Sequence, residues 1–229
     1  MRNLTYEPRP VRQHMENREK ALTHLIKQAQ TEYSEENYVF AIPGFMSKKF
    51  IAYCAMRDDL TLVLDYIQTL RDIPINRIVK SSLTYSLIAL YGKCFTDASK
   101  NNYPKLEPNS IFKENEEFKE IHNYLIELRH QFIAHRGKTD SEIGVSFMIF
   151  PKEKKEDSQV RFKQLKLGGF GEKRLNDIER IIKFLIFELE KKIQKSGQKL
   201  YDGFFNNFDE EQMSFMMINH LKKDKTEEK

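Results

Sequence analysis

Nine glycines and seven prolines in 229 residues are too few turn-formers for a sandwich or barrel, which needs a turn about every 8–12 residues. Between these sparse breakers, apolar residues recur at helical spacing. Val11, Met15, Leu22, Leu25, Ile26 and Ala29 predict a first helix running from Pro10 to about Asn37. Leu60, Val63, Leu64, Ile67 and Leu70 predict a second over Cys54–Arg71, after an aromatic loop that turns at Ile42-Pro43-Gly44-Phe45. Past Pro74, Ile75 to Phe95 is apolar over most of its circumference, as a helix at the centre of a bundle must be. Residues 97–109 carry Asn101-Asn102 and two prolines and predict a loop. Phe118, Ile121, Leu125, Leu128 and Phe132 then follow a 3-4-3-4 spacing on a helix expected to start near Ser110 and to stop at Gly137. Ile143–Phe150 and Gln159–Leu167 are rich in β-formers and flank the charged run Pro151–Asp157, a two-stranded insertion. Leu175, Ile178, Ile182, Leu185, Leu189 and Ile193 mark a last long, central helix, followed by a short amphipathic stretch over Asp209–Leu221 and a charged tail.

The expected fold is therefore all-α, a helical bundle with a small two-stranded β-hairpin insertion at about 143–167. We divide it into an N-terminal helix and loop extension (1–53), the bundle (54–203), and a C-terminal amphipathic helix and tail (204–229). With 40% hydrophobic residues, the chain can bury one sizeable core. A net charge of +4 permits a polyanionic partner without requiring one. Cys54 and Cys94 sit in apolar helical runs and not in a CxxC pair, which predicts buried free thiols in a reducing compartment. No apolar run reaches the length of a membrane span and Met1–Tyr6 is not a greasy leader, so we expect a soluble, cytoplasmic protein with no membrane partner.

The chemistry is concentrated in Leu128-Arg129-His130-Gln131-Phe132-Ile133-Ala134-His135-Arg136-Gly137. A guanidinium binds phosphate bidentately and stays charged, while an imidazole titrates near neutrality and can take or give a proton. Arg9/His14 and Arg18/His24 have comparable spacings, but the first spans a proline and the second lies mid-helix, so context selects Arg129. At 100° per residue, Arg129 and His135 fall on opposite edges of the buried stripe. A twofold axis beside the helix end would bring two copies of each into one cleft. His122, Arg129 and Arg136 recur every seven residues as a basic row and, with Lys138, form a candidate RNA track; a solvated face is the other reading of that row. The other reading of Arg129 is a stem packed along the bundle, and of His135 a histidine capping the helix. His130 and His135 lack the i, i+4 spacing of a metal pair, and neither a P-loop, a dinucleotide turn nor a nucleophile elbow occurs, so we assign no metal and no cofactor.

These residues resemble the HEPN family, helical bundles that include metal-independent endoribonucleases of toxin and antiphage systems. Its signature is an arginine, a polar residue, three to five further residues and a histidine, places that Arg129, His130 and His135 fill. Leu128 and Ile133-Ala134-His135-Arg136 are similar to the helix end of abortive-infection members. The resemblance covers about ten residues directly and, through helix order, Cys54–Ser196; the hairpin and the N-terminal extension lie outside it. It implies a homodimer with a composite site cleaving RNA, with Arg129 binding phosphate, His135 transferring a proton and His130 positioning. The alternative is a non-catalytic interaction subunit of the same fold that binds a partner protein, such as an antitoxin or another defence component, or a nucleotide.

Overall fold

In the computed structural model, the described residues are 11–33, 37, 39, 41–42, 44–72, 76–101, 103–134, 142–149, 159–209 and 211–212. They form α1 (Val11–Tyr33), α2 (Gly44–Asp72), α3 (Arg77–Lys93), a 3-10 turn (Ser99–Asn101), the one-turn α4 (Pro108–Ile111), α5 (Glu116–Glu127), a π-helical segment (Leu128–Ala134), β1 (Glu142–Ile149), β2 (Gln159–Lys166) and α6 (Glu172–Asn207). The described residues are thus mostly helical with one small antiparallel sheet, in line with the spacing of the apolar residues. Two compact units divide it, one over 48–199 and one combining the described parts of 1–47 and 200–229.

The larger unit is built on a continuous apolar core. Leu60, Val63 and Ile67 of α2, Leu87, Ile88 and Tyr91 of α3, Leu125 of α5 and Ile178, Ile182 and Leu185 of α6 are essentially inaccessible to water. Their spacing of three and four residues along each helix places them on one face, and burying an aliphatic or aromatic side chain of this size contributes about 1.5–3 kcal/mol. Ion pairs pin the helices at their rims. Arg71 near the end of α2 donates to Glu172 and Glu179 of α6 (2.9 and 2.6 Å), Lys93 of α3 meets Asp59 of α2 at 2.7 Å, and Arg180 of α6 pairs with Glu117 of α5 at 2.6 Å. In the smaller unit Tyr201, Phe204, Phe205 and Phe208 stack along the end of α6, whereas Leu22 and Leu25 of α1 stand exposed, so the apolar spacing of α1 is there without the burial it implies.

Several boundaries differ from expectation. The second helix begins at Gly44, ten residues before Cys54, because no glycine or proline interrupts 45–53 and a packed helix accepts its aromatics; Ala52 is buried within it. α5 begins at Glu116 and not near Ser110. Asn115 caps it, its side chain accepting from the Phe118 N–H at 3.0 Å, while Phe112 just upstream leaves the helical path to enter the core. The last helix runs on to Asn207, through Gly197 and Gly203. Cys94 is buried as expected, and burial pushes its thiol up to about 12; Cys54 is only half-buried, which corrects the expectation for that residue. The strands span nearly the expected residues, paired from Ile143 opposite Leu165 to Ile149 opposite Gln159. The hairpin turn, Gly137 and nearly all of Asp209–Leu221 lie outside the described residues. Among the described residues no helix is long and apolar enough to cross a membrane.

Candidate functional site

α5 delivers the candidate residues. Glu116 and Glu117 in its first turn complement the helix dipole, and Phe118, Ile121, His122 and Leu125 occupy its buried face. From Leu128 to Ala134 the helix widens into a π register, with hydrogen bonds from i to i+5. The 100° per residue used to set Arg129 and His135 on opposite edges therefore does not apply across this segment. π turns are rare, poorly packed along their axis and frequent at functional sites, because the widened turn re-aims the side chains that follow.

Leu128 is buried, Arg129 half-buried, His130 exposed, and Gln131 donates to Glu127 of the preceding turn at 3.1 Å. The stem of Arg129 lies in a notch on α3 made by Gly92. A Cβ built on Gly92 would overlap Arg129 Cδ and stand 2.8 Å from its Nε and 3.2 Å from its Cγ. Gly92 is itself buried in the last turn of α3, where glycine costs at most about 1 kcal/mol relative to alanine. The close approach of the arginine explains a glycine at that helical position. Among the described residues no carboxylate pairs with the Arg129 guanidinium.

His122 is placed elsewhere. It is 5% exposed, with Tyr91 Oη 2.9 Å from its Nδ1 and the rings of Phe95 and Phe112 at 4.4 and 5.2 Å between centroids. Burial lowers its pKa from 6.5 to about 4, so the ring is neutral at pH 7. This corrects its assignment to an RNA track: a neutral imidazole enclosed by aromatic rings touches no phosphate. The seven-residue row therefore breaks at its first member. Of the six residues singled out in the sequence, the consecutive Arg129 and His130 both lie on the π segment, and His122 is buried apart from them. His135, Arg136 and Lys138 lie outside the described residues.

Sequence reasoning missed Gly92 and the Tyr91–His122 pair. An isolated glycine directly after the apolar Leu87–Tyr91 run was the available signal for a close approach. No group of three or more His, Cys, Asp or Glu side chains is gathered to hold a metal ion among the described residues. What the described site offers is a guanidinium whose stem is seated against α3 and, at the next position in the chain, an exposed imidazole; the first type of group binds a phosphodiester and the second can move a proton. No protein-family model, curated protein or solved structure matches the chain.

Proposed function

We propose that this protein is a HEPN-type endoribonuclease that cleaves RNA without a metal, acts as a homodimer with a composite site, and serves as a toxin or antiphage effector. The observation that carries the reading is Arg129, its stem seated against Gly92 and its guanidinium without a carboxylate among the described residues, followed directly by exposed His130 on a π-helical turn. The resemblance of Leu128–Arg136 to the family's helix end supplies the reaction class and His135.

In the proposed mechanism Arg129 neutralises the scissile phosphate. One imidazole takes the proton of the 2′-hydroxyl, whose oxygen attacks phosphorus. The P–O5′ bond breaks, and the leaving 5′-oxygen takes a proton from the other imidazole. The products are a 2′,3′-cyclic phosphate and a 5′-hydroxyl. In the composite site these two imidazoles are the His135 side chains of the two protomers, with His130 assigned to positioning and Arg136 and Lys138 as neighbouring phosphate contacts. The test is incubation of the purified protein with mixed RNA in excess chelator. Cleavage by the wild type that is lost in Arg129→Ala and in His135→Ala, with unchanged helical content, supports the enzyme. A wild type that leaves RNA intact favours the alternative, a HEPN-fold subunit that binds a partner protein or nucleotide.

A further inference from the structure

The hairpin is the least accounted-for part of the molecule. A two-stranded sheet is marginal on its own in water, yet β1 and β2 pair only with each other among the described residues. Their apolar side chains are exposed, with Val160 at 70%, Leu165 at 68% and Val145 at 58%. The strands differ in how they treat their free edges. β2 carries Arg161, Lys163 and Lys166, the charged residues by which natural sheets discourage pairing at an edge. β1 carries no charge from Ile143 to Ile149. One edge is guarded and the other is open.

The open edge is also complementary to itself. In the hairpin register Ile143, Val145, Phe147 and Ile149 share one face, opposite Leu165, Lys163, Arg161 and Gln159. Run antiparallel to a second β1 about a twofold axis at Ser146, this strand sets Ile143 against Ile149 of the other copy and Val145 against Phe147. Every opposed pair from 143 to 149 is then uncharged, and the two apolar rows merge on one face while the cationic β2 strands stay outermost. Aliphatic and aromatic cross-strand pairs of this kind are stabilising, and an isologous contact closes as a dimer.

We propose that β1 is a dimerisation edge, on which a second copy of this chain pairs through its own β1 to make a four-stranded sheet in the order β2-β1-β1-β2. The inference does not rest on the ribonuclease reading, and its readout is assembly and not cleavage. The informative variant is Val145→Glu with Phe147→Glu. Within one chain each new carboxylate faces a cation, Lys163 or Arg161, so the hairpin is kept. Across the twofold axis carboxylate faces carboxylate, twice.

Sedimentation of the full chain at micromolar concentration should show a dimer for the wild type, and a dissociation constant raised at least about tenfold for the double variant. Ser146→Cys, which lies at the axis, should form an intermolecular disulfide on mild oxidation, whereas Arg161→Cys on the guarded strand should not. A monomeric wild type overturns the proposal and leaves the edge to a strand from a different protein. A dimer that survives Val145→Glu/Phe147→Glu and fails to cross-link through Ser146→Cys overturns it too, placing the interface elsewhere.

Discussion

Acidification should unfold this protein through His122. The unfolded-state imidazole titrates near 6.5 and the folded one near 4, because charging a ring enclosed by Tyr91, Phe95 and Phe112 strips it of water. Between these values the unfolded chain binds the proton and the folded chain does not, so stability falls as pH drops through 6.5 and levels off below 4. With these two values the loss from pH 7 to pH 4 comes to about 3 kcal/mol, a large share of the roughly 5–15 kcal/mol that holds a domain together. Glu117 and Glu179, held below the usual carboxylate range by hydrogen bonds from Arg180 and from Lys183 and Arg71, lose stabilisation in the same direction as they protonate. The His122 share must therefore be read by difference. Urea melts at pH 7, 6, 5 and 4 on the wild type and on His122→Phe should give slopes that diverge by that ~3 kcal/mol. The variant also strands the Tyr91 hydroxyl, at a cost of about 1–3 kcal/mol, but that offset is the same at every pH, and Tyr91→Phe/His122→Phe should remove most of it. Parallel pH profiles for wild type and variant would refute the burial argument.

Gly92→Ala should push the Arg129 stem out of its notch: RNA cleavage should fall about tenfold or more with helical content kept, and a variant that keeps full cleavage and is no less stable than the wild type would mean the stem does not lie there. Leu125→Ala, at a fully buried position, should cost about 2–5 kcal/mol in chemical denaturation, and a loss under 1 kcal/mol would remove it from the core. Arg71→Ala, which leaves exposed Glu172 and half-buried Glu179 without their cation, should cost only about 1 kcal/mol, and a loss several times larger would mean the network is the main clamp between α2 and α6.

Helix positions were legible where stripes were clean. α3 and α6 follow from their apolar periods, and the strands from runs of β-formers around a charged stretch, because both signals are local. The start of α2 was not, since Pro43-Gly44 reads as a turn and only packing shows the aromatics beyond it to be helical. The π register at Leu128–Ala134 has no sequence signature, as a change from i+4 to i+5 bonding depends on what the helix packs against. His122 was misread for an instructive reason. It shares a seven-residue period with Arg129 and Arg136, but it also lies four residues after Phe118 and three before Leu125, and that apolar spacing decides its burial. Arg129 obeys the same rule, four residues after Leu125, and ends half-buried; its long stem lets it lie along the bundle while its guanidinium remains a donor.

The central claim is that Arg129 sits at the phosphate of a metal-free RNA cleavage site. End-group analysis of RNA incubated with the protein in excess chelator tests it most directly. The account predicts fragments ending in 2′,3′-cyclic phosphate and beginning with 5′-hydroxyl, produced by the wild type and reduced at least about a hundredfold in Arg129→Ala. Fragments bearing 3′-hydroxyl ends, cleavage that appears only when a divalent ion is added, or an undiminished yield from Arg129→Ala would contradict it.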